Sequence, residues 1–440
     1  MNAIARLPSR PGAEESGPPP GGPGSGRRPR ARSGPFGVLD IGSGKVVCLV
    51  ARIEPDGLPR VLGFGWHRAR GIKGGNITDL AEAERSVRAA VASAEEMADQ
   101  KLSGVIANLS CGQPESRVHN VGWTIGGRAV TEADLRAVVN EGRRRMAEEG
   151  REPVHALPLG FTIDATPGVD DPRGMICESL GARLHMVDGA SASLRNLGLC
   201  LAASDLEIEE LVSAPYAAAL SVLVDDERQL GATVVDMGAG VTSAAIIQDG
   251  HLVHTAGLPV GGWQVTNDLA RGLTTSVPHA ERIKTLHGGV LATTDDERET
   301  IPVPQIGEDD EILARVPRAM VAHIIRPRLE ETFELLRDRL DAAGLGRDVG
   351  ARVVLTGGAS QLVGTRETAA RVLGRQVRLG RPHPVRGLPE AFHSPAFATT
   401  LGLLAWGAGD GRPVLDLDYG SRVIREGVFM RLVNWLRDRV

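Results

Sequence analysis

Two short segments carry residue types at a spacing that can do chemistry. Asp40-Ile41-Gly42-Ser43-Gly44-Lys45 follows the apolar run FGVL, and Asp236-Met237-Gly238-Ala239-Gly240-Val241-Thr242 follows ATVV. Each ends a β-favouring run in a carboxylate and then turns on glycine, which is required where a ligand must approach backbone N–H groups closely. Such turns cradle phosphate. The first adds the Ser43 hydroxyl and the Lys45 ammonium, and the second adds the Thr242 hydroxyl. Asp40 and Asp236 are suited to holding waters around Mg²⁺, which favours carboxylates, phosphate oxygens and retained water. A third turn, Thr356-Gly357-Gly358-Ala359-Ser360, follows the apolar ARVVL. One Asp-x-Gly turn alone is more often a plain hairpin whose Asp bonds its own backbone. Two of them at strand ends, with a Gly-Gly turn after a third strand, make a far more specific set. The chemistry they imply is a two-sided grip on a phosphate chain with Mg²⁺, as in a bound nucleoside triphosphate. Other phosphate loops do not fit: Leu39 stands where a Walker A loop needs glycine, Val46 where it needs Ser or Thr, and no third glycine completes a dinucleotide fingerprint.

The elements that must position these turns are legible in outline. FGVLD, IGSGK and VVCLVARI read as strand, turn and strand, and GATVVDMGAGVTSAAIIQDGHLVH repeats the unit about 200 residues later. The shared Asp-x-Gly-x-Gly makes the chain two related halves. Leu80 to Gln100 has helical spacing and GVIANLSCG follows as a strand, the alternation of an α/β domain. Residues 113–200 form an insert with a helix from Thr131 to Glu149, opened by the capping pattern TEAD, and strands around LPLGFTID and LHMVDG. Gly262 to His287 reads as helical, Thr293 to Asp309 as a polar loop, and Ala314 to Ala343 as one long amphipathic helix. SAPYAAALSVL and SPAFATTLGLLAWG are small-residue helices suited to close packing.

At 440 residues the chain is too long for one ordinary core and implies two or three domains. A formal charge of -5 gives no reason for a nucleic-acid partner, and none is expected. Cys48, Cys111, Cys177 and Cys200 lie far apart with no Cys-x-x-Cys pair, so they read as packing residues of a reduced compartment. No run approaches the roughly 18 apolar residues of a spanning helix. Residues 1–34, rich in Pro, Gly, Ser and Arg, read as a disordered tail whose Arg27, Arg28, Arg30 and Arg32 are solvated.

These turns, with LVSAPYAAALSVL, VTNDLARGL, AERIKTLHGG, RPRLEETFELL, VLTGGASQLVG and RLVNWLRDRV in order, resemble the actin, Hsp70 and sugar kinase superfamily and, within it, the FtsA family of bacterial cell-division proteins. The resemblance runs from about Phe36 to the C-terminus. It implies an actin-like two-lobed α/β fold of duplicated ribonuclease H-like domains: subdomain 1A at 35–112 and 201–230, an inserted subdomain 1C at 113–200, 2A at 231–257 and 316–410, and 2B at 258–315. It implies phosphate contacts from Gly42, Ser43, Gly44 and Lys45 on one side and Gly238, Ala239, Gly240, Val241 and Thr242 on the other, with Asp40 and Asp236 toward Mg²⁺. Glu281 and Lys284, which by themselves read as an exposed helical face, would flank the ribose and adenine. Gly357, Gly358, Ala359 and Gly262 would admit the nucleoside, although Trp263 departs from the family's small or polar residue. The implied partners are FtsZ, through its C-terminal tail, further copies of the chain, and other division proteins through the insert.

After a linker at 411–426, residues 427–440 place Val428, Phe429, Leu432, Val433, Trp435 and Leu436 in one helical sector, with Arg431, Asn434, Arg437 and Asp438 outside it. Aromatic residues opposite arginines suit a helix lying in a membrane surface; docking on protein is the alternative. With the family match, the expectation is an ATP-binding, self-assembling protein that anchors the FtsZ ring on the cytoplasmic face of the inner membrane at the septum. Any ATPase activity would be weak, since no water-orienting catalytic residue stands out. A small-molecule kinase of the superfamily and a pilus-assembly relative remain as alternatives.

Overall fold

The computed structural model describes residues 32, 34–146, 148–292, 294–308, 313–344 and 350–411. Residues 1–31 of the expected tail, nearly all of the linker and the expected membrane helix at 427–440 lie outside them. The first lobe begins with an antiparallel meander of β1 (Phe36–Ile41), β2 (Lys45–Ile53) and β3 (Pro59–Arg68). A small ribbon of β4 (Ile72–Lys73) and β5 (Asn76–Ile77) and helix α1 (Leu80–Ala98) lead to β6 (Gly104–Leu109), which lies parallel to β1. The chain then leaves for the insert: β7 (Glu115–Ala129), α2 (Glu132–Arg145), β8 (Arg151–Ile163), β9 (Thr166–Val169) and β10 (Ile176–Ala190). It returns through α3 (Ser191–Ala203) to β11 (Glu207–Ser213), giving a sheet ordered β11-β6-β1-β2-β3.

Helices α4 (Ala214–Val222) and α5 (Asp225–Leu230) cross to the second lobe, which starts over with the meander β12 (Ala232–Met237), β13 (Thr242–Gln248) and β14 (His251–Leu258). Then come α6 (Gly262–Gly272), α7 (Val277–His287), α8 (Thr294–Arg298), β15 (Thr300–Pro304), β16 (Leu313–Pro317) and α9 (Arg318–Ala342). Strand β17 (Arg352–Thr356), α10 (Thr365–Leu373), β18 (Gln376–Leu379) and α11 (Ala398–Gly407) complete the described chain. This sheet is ordered β14-β13-β12-β17-β18. Both lobes therefore carry a three-stranded meander followed by two parallel strands, and the duplication read from the Asp-x-Gly units is a duplication of topology.

Why the strands read as unbroken apolar runs follows from burial on both faces. In the first sheet Val38, Val47 and Leu49 pack toward α4 and α11, while Leu39, Ile41, Val46, Cys48 and Val50 pack toward α1 and α3. Val234 and Val235 divide in the same way in the second sheet. Helices α4 and α11 thus lie between the two sheets. They touch at Gly402, where a Cβ would stand 1.6 Å from the Ala217 carbonyl oxygen. Only glycine permits that approach, which is the physical content of the Ala- and Gly-rich sequences of these helices.

The insert is a four-stranded sheet, β7-β10-β8-β9, covered by α2. A capping box opens α2: the Asp134 N–H donates to Thr131 Oγ1 at 3.4 Å and the Thr131 N–H to Asp134 Oδ2 at 2.9 Å. Helix α3 buries Leu194, Leu197, Cys200 and Leu201 in the first lobe's core, so the insert's own sheet ends at Ala190.

The structure departs from the sequence reading in three segments and one residue. The segment expected as a polar loop contains α8 and β15, and the first residues of the expected long helix are β16, paired antiparallel with β15. Pro302, Pro304 and Pro317 bar a helix there, and the alternating burial of Ile301 and Val303 is a strand pattern. Gly262 to His287 is two helices, parted where Thr274 takes a left-handed φ of 52°. Arg32, expected to be solvated, pairs with Glu209 and Glu210 and stacks on Phe36.

Candidate functional site

Strands β1 and β12 end at the same level of the molecule and aim their turns at each other. The Gly42 N–H donates to the Lys45 carbonyl at 3.0 Å, and the Gly238 N–H to the Val241 carbonyl at 2.9 Å. The two turns are thus closed by the same bond, and the residues between are left to line a cleft of about 390 Å³. Its walls are Asp40, Gly42, Ser43, Gly44 and Lys45 from the first lobe, and Asp236, Gly238, Ala239, Gly240 and Val241 from the second. Gly357 and Gly358 also line it.

The turns approach so closely that side chains are excluded. A Cβ on Gly240 would lie 2.5 Å from Ser43 Oγ, and one on Gly44 would lie 2.9 Å from the Ala239 Cβ. Gly357, with φ of 86°, sits against Asp236, where a Cβ would be 2.3 Å from Oδ1. Ser43 Oγ accepts the Gly75 N–H at 3.0 Å, and Trp263 Nε1 donates to the Ser43 carbonyl at 3.4 Å, stitching α6 to the first turn.

Charge in the cleft is desolvated. Burial drives the Asp236 carboxyl up to about 6, with Thr399 and Lys45 opposing and Asp40 adding to the rise. Asp40 is also raised by burial, against the pull of Thr400 and Lys45. Lys45 is lowered to about 8 by burial, with both carboxylates resisting. Its Nζ donates to the Ala396 carbonyl at 2.6 Å and lies 3.4 Å from the Phe397 ring centroid. Asp40 is buried and Asp236 and Lys45 are half-buried, so the cleft groups two carboxylates and one lysine away from bulk water, the kind of perturbed cluster found at functional sites.

The model of the family "Cell division protein FtsA" matches residues 233–402, and that of the "SHS2 domain inserted in FTSA" matches 111–188. Among curated proteins, "Cell division protein FtsA" of Rhizobium meliloti is 44% identical over 93% of this chain and 96% of its own length. The protein of the same name in Pseudomonas aeruginosa is 33% identical over 91% and 96%, and that of Escherichia coli K12 is 32% identical over 84% and 89%. The chain belongs to the FtsA family.

It is a cell division protein with an actin-like fold. The insert found between β6 and α3 is the family's SHS2 domain. A solved chain in the PilM-PilN type IV pilus biogenesis complex has the same fold, with a TM-score of 0.60 at 18% identity over 85% of this chain and 98% of that one.

Measured against the FtsA resemblance, the remaining expected site residues form a wall beside the cleft. Lys284 Nζ donates to the Gly262 carbonyl at 3.1 Å, to Thr266 Oγ1 at 2.8 Å and to Glu281 Oε2 at 2.7 Å. Ala359 closes the same cluster, its Cβ being 3.5 Å from where a Gly262 side chain would start. Thr242 is wholly buried in β13, and its hydroxyl has no partner among the described residues. Thr399 and Thr400, which bond the two aspartates, were missed by sequence reasoning, as was Asn108, whose Oδ1 accepts the Ile41 N–H at 2.7 Å. Asn108 gave no signal. The Thr-Thr pair interrupts an otherwise apolar helix and could have been noticed.

Proposed function

We propose that the chain binds ATP with Mg²⁺ between its two Asp-x-Gly turns, assembles into filaments, and anchors the FtsZ ring to the cytoplasmic face of the inner membrane at the septum. The observation that carries the nucleotide reading is the facing pair of turns beside Asp40 and Asp236, each closed by the same hydrogen bond and each with a glycine, Gly44 or Gly240, that has no room for a Cβ against the other turn.

The residues fit the ligand. Turn glycines leave backbone within reach of phosphate, Lys45 brings a cation to the cleft, and two carboxylates without a third among the described residues suit an ion that keeps its waters. Gly357 and Gly358 leave room at the base, and the Glu281, Lys284 and Gly262 cluster stands where ribose and adenine would lie. When bound, Mg²⁺ neutralises phosphate charge and fixes the phosphate geometry. Lys45 would exchange its Ala396 carbonyl for a phosphate oxygen, and Trp263 would hold the first turn against α6.

Membrane attachment is carried by residues 427–440, where Phe429 and Trp435 share a sector with Val428, Leu432, Val433 and Leu436. No helix among the described residues is long and apolar enough to cross a membrane. FtsZ binding, self-association and recruitment of other division proteins through the insert are inferred from the family.

Lys45→Ala and Gly240→Asp test the site. Each is expected to lower retention of labelled ATP at least tenfold, the first by removing a charge-assisted bond and the second by forcing a charged side chain into Ser43 and parting the two turns. Retention equal to the wild type in both variants contradicts the assignment.

A further inference from the structure

Helix α11 opens with two adjacent threonines whose hydroxyls go to different lobes. Thr399 Oγ1 donates to Asp236 Oδ2 at 2.7 Å, and Thr400 Oγ1 donates to Asp40 Oδ2 at 2.7 Å. Asp236 belongs to the second sheet and Asp40 to the first, and both threonines are buried. Within other helices Thr285, Thr332 and Thr368 return their hydroxyls to the carbonyl four residues earlier. Thr399 and Thr400 instead give theirs to the two carboxylates of the cleft. Each bond fixes one oxygen of its carboxylate.

The start of α11 is not free to follow either lobe. Gly402, less than one turn further on, rests against the Ala217 backbone, and the helix lies between both sheets. Rotation of one lobe would move Asp40 relative to Asp236, while the two hydroxyls, on consecutive residues, keep their spacing. A change of lobe angle would therefore strain or break at least one of the two bonds.

We infer that Thr399 and Thr400 are positioning residues that aim Asp40 and Asp236 at one cation and make its binding depend on closure of the lobes. This rests on the Mg²⁺·ATP reading of the cleft.

The test uses the full chain with Thr399→Val and Thr400→Val, singly and together, beside the double serine variant that keeps both hydroxyls. Affinity for labelled ATP is read in excess Mg²⁺ and in EDTA, and amide exchange is read at residues 42–45 and 238–242. The valine variants are expected to keep the wild-type circular-dichroism spectrum, which shows that they are folded. They should lose the enhancement by Mg²⁺ by about tenfold, the size of a bond to a charged group. Their turns should exchange faster in Mg²⁺·ATP, and the serine pair should restore both readouts. If the double valine does not fold, the single substitutions give the same comparison. A wild-type chain enhanced by Mg²⁺ alongside valine variants equally enhanced and equally protected overturns the inference and leaves the cleft reading standing. A wild-type chain whose ATP affinity ignores Mg²⁺ overturns the cleft reading, and the inference with it.

Discussion

Gly357 shows how closely single residues are constrained around the cleft. Its φ of 86° disfavours any residue with a Cβ, and that Cβ would lie 2.3 Å from Asp236 Oδ1 and 2.5 Å from the Met237 carbonyl oxygen. Gly357→Ala is expected to displace Asp236 and cost at least tenfold in ATP affinity by calorimetry, with the fold retained by circular dichroism; unchanged affinity would show that Asp236 does not bear on the ligand. At this scale the sequence was informative about the turns, because two Asp-x-Gly turns and a Gly-Gly turn at strand ends make a set that single hairpins do not explain. It was silent on Asn108 and on the Ser43–Gly75 bond. Those contacts join residues far apart in the chain, and no local pattern encodes them. Glu281 and Lys284 read locally as a solvated face and were placed only by resemblance; the structure ties them to Thr266 and Gly262.

Elements carry the next level of constraint. The α4–α11 crossing depends on Gly402, and Gly402→Ala would force a methyl into the Ala217 carbonyl. The expected loss is about 1–3 kcal/mol of stability, read as a lowered midpoint in urea denaturation. An unchanged midpoint would mean that the two helices separate more easily than their packing implies. The insert is docked through histidine. The His155 Nε2 accepts the Ser213 N–H at 2.9 Å, and Ser116 Oγ lies 2.8 Å from His185 Nε2 and 3.3 Å from His254 Nδ1 on the second lobe. Burial lowers His155 to about 4 and His185 to about 3. Between those values and the ordinary 6.5, the unfolded chain takes up protons that the folded chain refuses. Stability is therefore complete above about pH 6.5 and falls as the pH drops toward 4. Denaturation midpoints at pH 7.5 and 5 should show the fall, and His155→Gln, which can still accept from Ser213, should reduce it. The strand–turn–strand unit in each lobe, α1, α2 with its capping box, and the small-residue helices were readable from turn residues, periodicity and caps, while β3 was not read. The β15–β16 ribbon was hidden by its prolines, which mark loops as readily as edge strands.

For the whole molecule, the cleft and the terminal segment have to be joined into one function. The lobes share a topology, their turns meet across two carboxylates, and two small-residue helices form the floor between them. That architecture suits a nucleotide that sets lobe angle and, through it, assembly. In the proposed function, residues 427–440 would hold that assembly on a membrane surface. Electron microscopy of the full chain on an anionic lipid monolayer tests this most directly. With Mg²⁺·ATP the wild type is expected to form filaments on the lipid, while Gly240→Asp forms none and a chain lacking residues 427–440 leaves the monolayer bare. Filaments of equal abundance from Gly240→Asp, or on lipid without residues 427–440, would contradict it.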